Sequence, residues 1–356
     1  MSNMNICIIL MAAIVAQPLV DSEVLEPSVL NEVDHALSRA PTNEIAISAQ
    51  SAAFSAIWSA KGLSATDRAL RLVSSQRSDG RWLFRQTDVT PVALRQLRRA
   101  AGYPPPRLKL SIFSNHIEDI ARQEKTSFAA AAAKVRALGI DGIAVSFGMS
   151  EANLAEVRRQ GFAVSCIIGW PHFDKGYDGK MCAELISLAV TNGCQQVMLV
   201  PGFYPSHEED PELLSNIIKR TARFAQAAAA AGLETLIEDF DSEKSPTCGF
   251  ARTKKFLDAA PSVGFVYDTG NFNSPGERAE SGIKLLARTR HFHLKDRPVG
   301  DMRGACAVGS GVIPISGIVT SALDSGYGGW FTIEHFGVTN MLECAASSVR
   351  FLRRDF

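Results

Sequence analysis

"QQVMLVPG" (195–202), "ELLSNIIKRTARFAQAAAAAG" (212–232) and "LETLIEDF" (233–240) follow one another in the chain and differ sharply in pattern. The first and third runs are short and rich in Val, Leu and Ile, which is typical of strands buried on both faces of a parallel sheet. The middle run is long and amphipathic, and it closes with Gly232, a residue type that often ends a helix. The stretch therefore predicts a strand, a helix and a second, parallel strand.

The same alternation of short apolar runs with longer alanine-rich or amphipathic runs recurs from Leu108 to the end of the chain. The eight apolar runs are "LKLSIFSN" (108–115), "GIAVSFG" (142–148), "AVSCIIGW" (163–170), "QQVMLVPG" (195–202), "LETLIEDF" (233–240), "VGFVYDTGN" (263–271), "HFHLKD" (291–296) and "WFTIEHF" (330–336). Eight strand–helix units in roughly 250 residues are what a (β/α)₈ barrel requires. A doubly wound open sheet is the alternative, but it lacks support because no Gly-x-Gly-x-x-Gly follows the first strand. The sequence predicts an α/β protein with a (β/α)₈ TIM barrel over residues 107–356.

Residues 1–106 have a different character. Runs at 27–40 and 46–60 predict helices, and a capping-box start at Ser64 leads into the further helical run "RALRLVSS" (68–75). Three consecutive prolines at 104–106 then favour a stiff, extended connector. The sequence therefore predicts a mainly helical N-terminal extension over residues 1–106, followed by the barrel.

The apolar run "MNICIILMAAIVA" (4–16) has the length of a signal-peptide core but is too short for a membrane span. No Lys or Arg precedes Arg39, whereas a secretory signal has a positively charged start. The seven cysteines include no Cys-x-x-Cys pair, which favours a reducing compartment. We expect a cytoplasmic protein with no stable membrane span, although export through an atypical N-terminal signal stays open.

The charges of the chain balance. The chain has thirty-seven basic and thirty-seven acidic residues, so its net charge gives no overall electrostatic attraction to nucleic acid or to an anionic membrane. We expect a small molecule as the partner and no nucleic acid. A homo-oligomer remains open.

Acidic residues and a histidine stand at or near the ends of the last four predicted strands. They are Glu238, Asp268, His293 and Glu334. Because active sites of (β/α)₈ barrels lie at the carboxyl ends of the strands, these side chains are expected to converge at one rim. Buried carboxylates crowded together repel unless a cation or a proton compensates them, so the set predicts a metal site. His291, two residues before His293, is expected to point outward.

The motifs "LIEDF", "VYDTGN", "HFHLKD", "GSG" and "FTIEHF", in this order, resemble those of the xylose isomerase-like TIM barrels, which include sugar phosphate isomerases and epimerases. The resemblance covers about residues 107–356. It implies one divalent cation held by two glutamates, an aspartate and a histidine. The corresponding residues here are Glu238, Asp268, His293 and Glu334. Three oxygen donors and one imidazole favour Mn²⁺, Mg²⁺ or Co²⁺ over Zn²⁺.

The resemblance also implies a reaction. The ion would polarise the carbonyl of a sugar or sugar phosphate and stabilise an enediolate, while Glu238 and Glu334 act as acid and base. Candidate substrate-binding residues are Asn271, Lys295, Trp170 and His172, with Asn115 and His116 as further candidates. Many relatives carry histidine at the position of Asn271. The arginine that some ketose epimerases carry after the seventh strand corresponds to Arg297 or Arg303.

Other functions stay open on the same residues. An inosose-type dehydratase would begin with the same proton abstraction and then expel water. A binding module without turnover is the non-enzymatic alternative. A type IV AP endonuclease is disfavoured, because its three zinc ions need more histidines than the strand ends of this chain supply.

Overall fold

The computed structural model describes residues 107–272 and 276–356, together with 65–79, 81–84 and shorter pieces between positions 29 and 97. The chain divides into two compact units. One consists of Leu108–Ile315 and Gly328–Asp355, and the other of Met1–Arg107, Ser316–Tyr327 and Phe356. The predicted leader (4–16) and proline connector (104–106) lie outside the described residues, so the domain boundary and the export route stay predictions.

The larger unit contains a closed barrel of eight parallel strands. The strands are β1 Lys109–Phe113, β2 Gly142–Ser146, β3 Ala163–Gly169, β4 Gln196–Leu199, β5 Glu234–Glu238, β6 Gly264–Asp268, β7 Thr289–Lys295 and β8 Trp330–Glu334. Each strand pairs with the next along the chain, and β8 pairs with β1 to close the cylinder. Each of the eight predicted apolar runs contains all or most of one strand, so the (β/α)₈ prediction is confirmed.

Helices alternate with these strands along the chain. Their bounds are α1 Ser114–Gln123, α2 Phe128–Ala137, α3 Glu151–Arg159, α4 Gly179–Thr191, α5 Pro211–Ala230, α6 Gly249–Ala259, a 3₁₀ segment Ala279–Arg288, α7 Ile315–Asp324 and α8 Met341–Asp355. No described helix is both long enough and apolar enough to cross a membrane.

Helix α5, from the opening stretch, illustrates how local signals set the boundaries. Asp210 caps its start by accepting a hydrogen bond from the backbone N–H of Leu213 at 2.9 Å, and Pro211 occupies the first turn. After the helix, Gly232 adopts a positive φ of 76°. This left-handed conformation costs a glycine little and turns the chain into β5.

The barrel interior is packed with apolar side chains from β1 to β6 or the residues directly after them. The cluster consists of Phe113, Ala144, Cys166, Ile168, Met198, Val200, Leu236 and Val266. All are at most 5% exposed, so the interior is a filled core rather than a channel. The polar side chains of β5 to β8 complete the ring above this core.

In the other unit, the helix Ala65–Ser74 is followed by a small antiparallel pair, Leu83–Phe84 with Thr87–Asp88. Trp82 is 1% exposed, and its indole N–H donates to the carbonyl of Leu72 at 2.7 Å. The indole thus holds the segment after the helix against the helix itself.

Candidate metal centre

Four side chains from the last four strands meet at the carboxyl rim of the barrel. Glu238 ends β5, Asp268 ends β6, His293 lies on β7 and Glu334 ends β8. One potential ligand atom from each lies within 4.8 Å of the others, and all four residues are buried. They converge because parallel strands of a closed barrel deliver their carboxyl ends to one rim.

His293 lies between the two glutamates. Its Nδ1 contacts Glu238 Oε1 and lies 3.5 Å from Glu334 Oε2. Its other nitrogen, Nε2, has no hydrogen-bond partner among the described residues. Nδ1 is therefore the nitrogen that faces the carboxylates and could bind an ion together with them.

Asp268 is fixed by the backbone around it. Its Oδ1 accepts the N–H of Gly270 at 2.7 Å, and its own N–H donates to Asp239 Oδ1 at 2.9 Å. Its second oxygen, Oδ2, lies 2.8 Å from Lys295 Nζ. One carboxylate oxygen thus orients the residue, while the other faces the cluster. The sequence analysis missed Asp239, which lies one residue beyond a strand end.

The electrostatics of the cluster favour a bound cation. Burial, followed by the negative charge of Asp268, raises the pKa of Glu238 well above its usual range. Burial also raises the pKa of Glu334 to about 8, with Lys295 opposing the shift. Burial lowers the pKa of His293. Carboxylates crowded in this way are costly to ionise without compensation, and oxygen donors with one imidazole suit a hard dication. The residues could hold one metal ion.

Lys295 carries a positive charge into the cluster. Its Nζ contacts Asp268, Glu334 and, at 2.9 Å, Asn271 Oδ1. Burial alone would lower the pKa of Lys295, but Asp268 and the two glutamates outweigh it and raise that pKa. The amide of Asn271 also donates to the carbonyl of Asp239 at 2.7 Å. Asn271 therefore orients the ammonium group, a contact that the sequence analysis did not foresee.

The expectation that His291 points outward is wrong. Its Nδ1 lies 2.8 Å from Gln196 Oε1 on β4, and its Nε2 lies 2.6 Å from Thr332 Oγ1 on β8. Both contacts lie inside the barrel. Residues two apart in a strand point to the same face, so His291 faces inward as His293 does. Both ring nitrogens are engaged, so His291 lies beneath His293 as part of a polar layer and is not a candidate ligand.

A cavity of about 420 Å³ opens above the cluster. Glu238, Glu334 and Lys295 form part of its polar lining, and four aromatic rings also line it. The rings are Phe113, Trp170, Phe240 and Phe336. Trp170 is 44% exposed and meets Phe240 edge to face with ring centroids 5.9 Å apart. Phe240 was not identified from the sequence. It lies two residues after Glu238, the last residue of β5, so the alternation of the strand could have placed it on the same side.

The other predicted substrate contacts divide into three groups. Asn115 and Asn271 line the cavity, whereas His116 is fully buried outside its lining. His172 is exposed in the loop after β3, has a positive φ of 50° and is also outside the lining. The geometry gives no support to His172 as a substrate contact, because its side chain is exposed and does not line the cavity.

The two arginines proposed from the sequence have different environments. Arg297 is 3% exposed, and its guanidinium donates to the carbonyls of Gly270, Arg303 and Gly304 and to Asp241 Oδ2. These bonds connect the loop after β7 to the loops after β5 and β6. Arg303 is exposed at the rim of the cavity.

Asp296 has a structural role that was not predicted from the sequence. Its buried carboxylate accepts four backbone N–H groups at 2.9–3.0 Å, from Arg297, Gly309, Gly311 and Ile313. A single carboxylate therefore holds the loop 297–313, part of which lines the cavity.

Comparison with known proteins agrees with this fold. The family model described as xylose isomerase-like TIM barrel matches residues 131–355. The probable 3-DHS dehydratase AsbF of Bacillus anthracis superposes with a TM-score of 0.57 at 16% identity, over 69% of this chain and 98% of that one. The D-allulose 3-epimerase of a Methylomonas species does so with a TM-score of 0.55 at 16% identity, over 71% and 99%.

A third structure is that of a xylose isomerase-like TIM barrel protein from Mycobacterium smegmatis in complex with magnesium. It has a TM-score of 0.52 at 21% identity, over 64% of this chain and 87% of that one. No curated protein matches the chain by sequence. The family match covers more than half of the chain and coincides with most of the observed barrel. The chain belongs to the xylose isomerase-like TIM barrel family.

Proposed function

We propose that this protein is a divalent-metal-dependent isomerase or epimerase of a sugar or sugar phosphate. The observation that carries the proposal is the convergence of Glu238, Asp268, His293 and Glu334, with ligand atoms within 4.8 Å of one another, beneath an open cavity. The proteins that share this fold include one named as a dehydratase and one named as an epimerase. Both names support a reaction that begins at a carbon next to a carbonyl.

The proposed cofactor is one divalent ion, with Mn²⁺, Mg²⁺ or Co²⁺ preferred over Zn²⁺. The donor set supports this choice, since three of its four groups are carboxylates and none is a thiolate. The magnesium complex of the related Mycobacterium smegmatis barrel agrees with it. When bound, such an ion would polarise the substrate carbonyl and stabilise the negative charge that develops on its oxygen.

The two glutamates are the proposed acid and base. Glu238 and Glu334 stand on β5 and β8, and both carboxylates border the cavity. One would accept the proton from the substrate carbon, and the other would deliver a proton to complete the exchange. Lys295 Nζ lies beside Glu334 and would hold a substrate oxygen that becomes negative.

The aromatic wall would hold the non-reacting end of the substrate. Sugars present C–H groups on one face of the ring or chain, and these pack well against aromatic faces. Trp170, Phe240 and Phe336 supply such faces in the lining of the cavity. Burial of the sugar against them would also exclude water from the proton-transfer site.

A dehydratase is the second candidate, supported by the shared fold of AsbF. It would use the same proton abstraction and then expel a hydroxyl group from the neighbouring carbon. A binding module without turnover is the third candidate, but it has no need for two glutamates at the cavity floor.

The test is a panel of ketoses and their phosphates, incubated with Mn²⁺-loaded protein in D₂O. We expect deuterium in the recovered sugar and a new isomer without loss of mass. A product lighter than the substrate by one water molecule would identify the protein as a dehydratase instead of an isomerase. The wild type should also retain Mn²⁺ after gel filtration. A protein that neither holds Mn²⁺ nor exchanges protons with any member of the panel would refute the proposed function.

A further inference from the structure

The first turn of α1 holds the ends of both strands that flank β1. β1 ends at Phe113 and α1 begins at Ser114 with no loop between them. Because β1 leaves the sheet there, the ends of its neighbours need other hydrogen-bond partners. On the β2 side, Ser114 Oγ accepts the N–H of Ser146 at 3.1 Å, and Asn115 Oδ1 accepts the Ser146 hydroxyl at 2.5 Å.

On the β8 side, the partner is an imidazole. His116 Nε2 accepts the backbone N–H of His335 at 2.8 Å, and His335 directly follows Glu334. The pairing of β8 with β1 ends at Ile333 opposite Ile112. His116 thus replaces a backbone acceptor at the point where the ladder stops. Since Nε2 accepts, the ring proton lies on Nδ1, and a neutral imidazole is required.

The side chain of His335 is anchored from the opposite direction. Its Nε2 lies 2.9 Å from Ser348 Oγ on α8. The Ser348 hydroxyl donates its own proton to the carbonyl of Cys344 at 2.8 Å, so it accepts from the His335 ring. The residue after Glu334 is therefore held by its backbone from α1 and by its ring from α8. His116, His335 and Ser348 are all fully buried.

His116 also supports the aromatic wall. Its ring centroid lies 4.6 Å from that of Phe336 and 5.5 Å from that of Phe113, and both rings line the cavity. Phe113 in turn meets the ring of His293 at 4.8 Å. His116 itself is not part of the cavity lining, so it can affect a substrate or an ion only through these neighbours.

We propose that His116 is a positioning residue, which fixes the carboxylate of Glu334 by accepting the N–H of His335. This inference rests on the proposed function of Glu334 at the metal centre. A shift of the peptide after Glu334 moves a side chain that must meet an ion and a substrate within a fraction of an ångström.

Three variants separate the hydrogen bond from packing. His116→Phe keeps an aromatic ring but removes the acceptor. His116→Gln places its amide oxygen near the original Nε2, whereas His116→Asn reaches only to the position of Nδ1. Ile120→Val is the matched control, because Ile120 is fully buried on the same helix and its shortening lowers stability without removing a hydrogen-bond acceptor.

Two measurements are made on each variant of the full chain. The first is amide hydrogen exchange of residues 330–340, which needs no ligand. The second is the Mn²⁺ dissociation constant. We expect His116→Phe and His116→Asn to speed the exchange of the His335 amide at least about tenfold and to weaken Mn²⁺ binding by roughly 10–100-fold, the usual effect of losing a support behind a ligand. His116→Gln should recover most of both.

Three results would overturn the positioning role. Phe and Asn variants that match the wild type in both measurements would show that the bond is dispensable. A Gln variant as impaired as the Phe variant would assign the effect to packing. An Ile120→Val variant as impaired as His116→Phe would assign it to general destabilisation. If the wild type neither binds Mn²⁺ nor exchanges substrate protons, the proposed function fails, and the amide exchange data still decide whether His116 holds the chain after Glu334.

Discussion

The two halves of the barrel mouth are built from opposite kinds of side chain. From β1 to β4 and just beyond, the interior positions are mostly apolar, with Phe113, Ile168, Met198 and Val200 facing the cavity. From β5 to β8, the strand ends carry Glu238, Asp268, His293 and Glu334. Both halves come from the same strand–helix repeat. The contrast teaches that the fold fixes where the rim lies, while a few residues at strand ends determine which part of the rim can do chemistry.

The largest expected effect is on the charged half. Glu238→Gln or Glu334→Gln should lower turnover by about 10²–10⁴-fold, because each removes a proposed acid–base group and a potential ligand. Glu234→Gln is the control, since Glu234 stands at the opposite end of β5 and pairs with Arg290. Steady-state rates on a responsive ketose test this. A Glu238→Gln enzyme as active as Glu234→Gln would contradict the division of the rim.

A comparably large effect, but on stability alone, is expected in the apolar half. Met198 is 3% exposed within the interior cluster. Met198→Ala should reduce the free energy of unfolding by about 2–5 kcal/mol, whereas the volume-conserving Met198→Leu should cost less than about 1.5 kcal/mol. Chemical denaturation gives the free energies. Mn²⁺ affinity should stay unchanged in both variants, and a loss of affinity would show that the two halves are coupled.

The charged half should also make the stability of the metal-free protein depend on pH. Burial raises the pKa of Glu334 to about 8, so the folded state holds its proton more tightly than the unfolded state. Through Glu334 alone, stability should therefore fall as pH rises from about 4.5 to about 8, by at most about 1.4 kcal/mol per pH unit. Denaturation across this range checks the slope. Glu334→Gln should flatten it, and an equally steep slope in that variant would assign it to other groups.

The smallest expected effect concerns the aromatic rim. Trp170→Ala should raise KM about 2–10-fold and leave kcat nearly unchanged, because it removes stacking that is the same in ground state and transition state. Trp170→Phe should retain most of the affinity. An unchanged KM in the alanine variant, with the same ketose, would mean that the sugar does not lie against this wall.

Much of this architecture could be predicted from the sequence, because both the strand runs and the strand-end residues are local patterns. Glu238 and Glu334 could be identified as rim residues because each closes an apolar run. His291 could have been placed correctly as well, since it shares its face of β7 with His293.

Other features depend on contacts between distant segments. The four amides that Asp296 binds come from residues up to 17 positions away, and the acceptor for the His335 N–H lies 219 positions earlier. The hydrophobic periodicity of the sequence carries no information about contacts between such distant residues. The same holds for His172, which follows a predicted strand end but is exposed and outside the cavity lining.

The layer of Ser111, Thr332, His291 and Gln196 beneath the centre forms a continuous chain of hydrogen bonds across the cylinder. Ser111, His291 and Thr332 in this layer are fully buried. The proposed ion and substrate would both reach the centre through the cavity above it. An ion bound by the four side chains would then lie beneath the substrate, so a chelator should remove the ion more slowly when substrate fills the cavity.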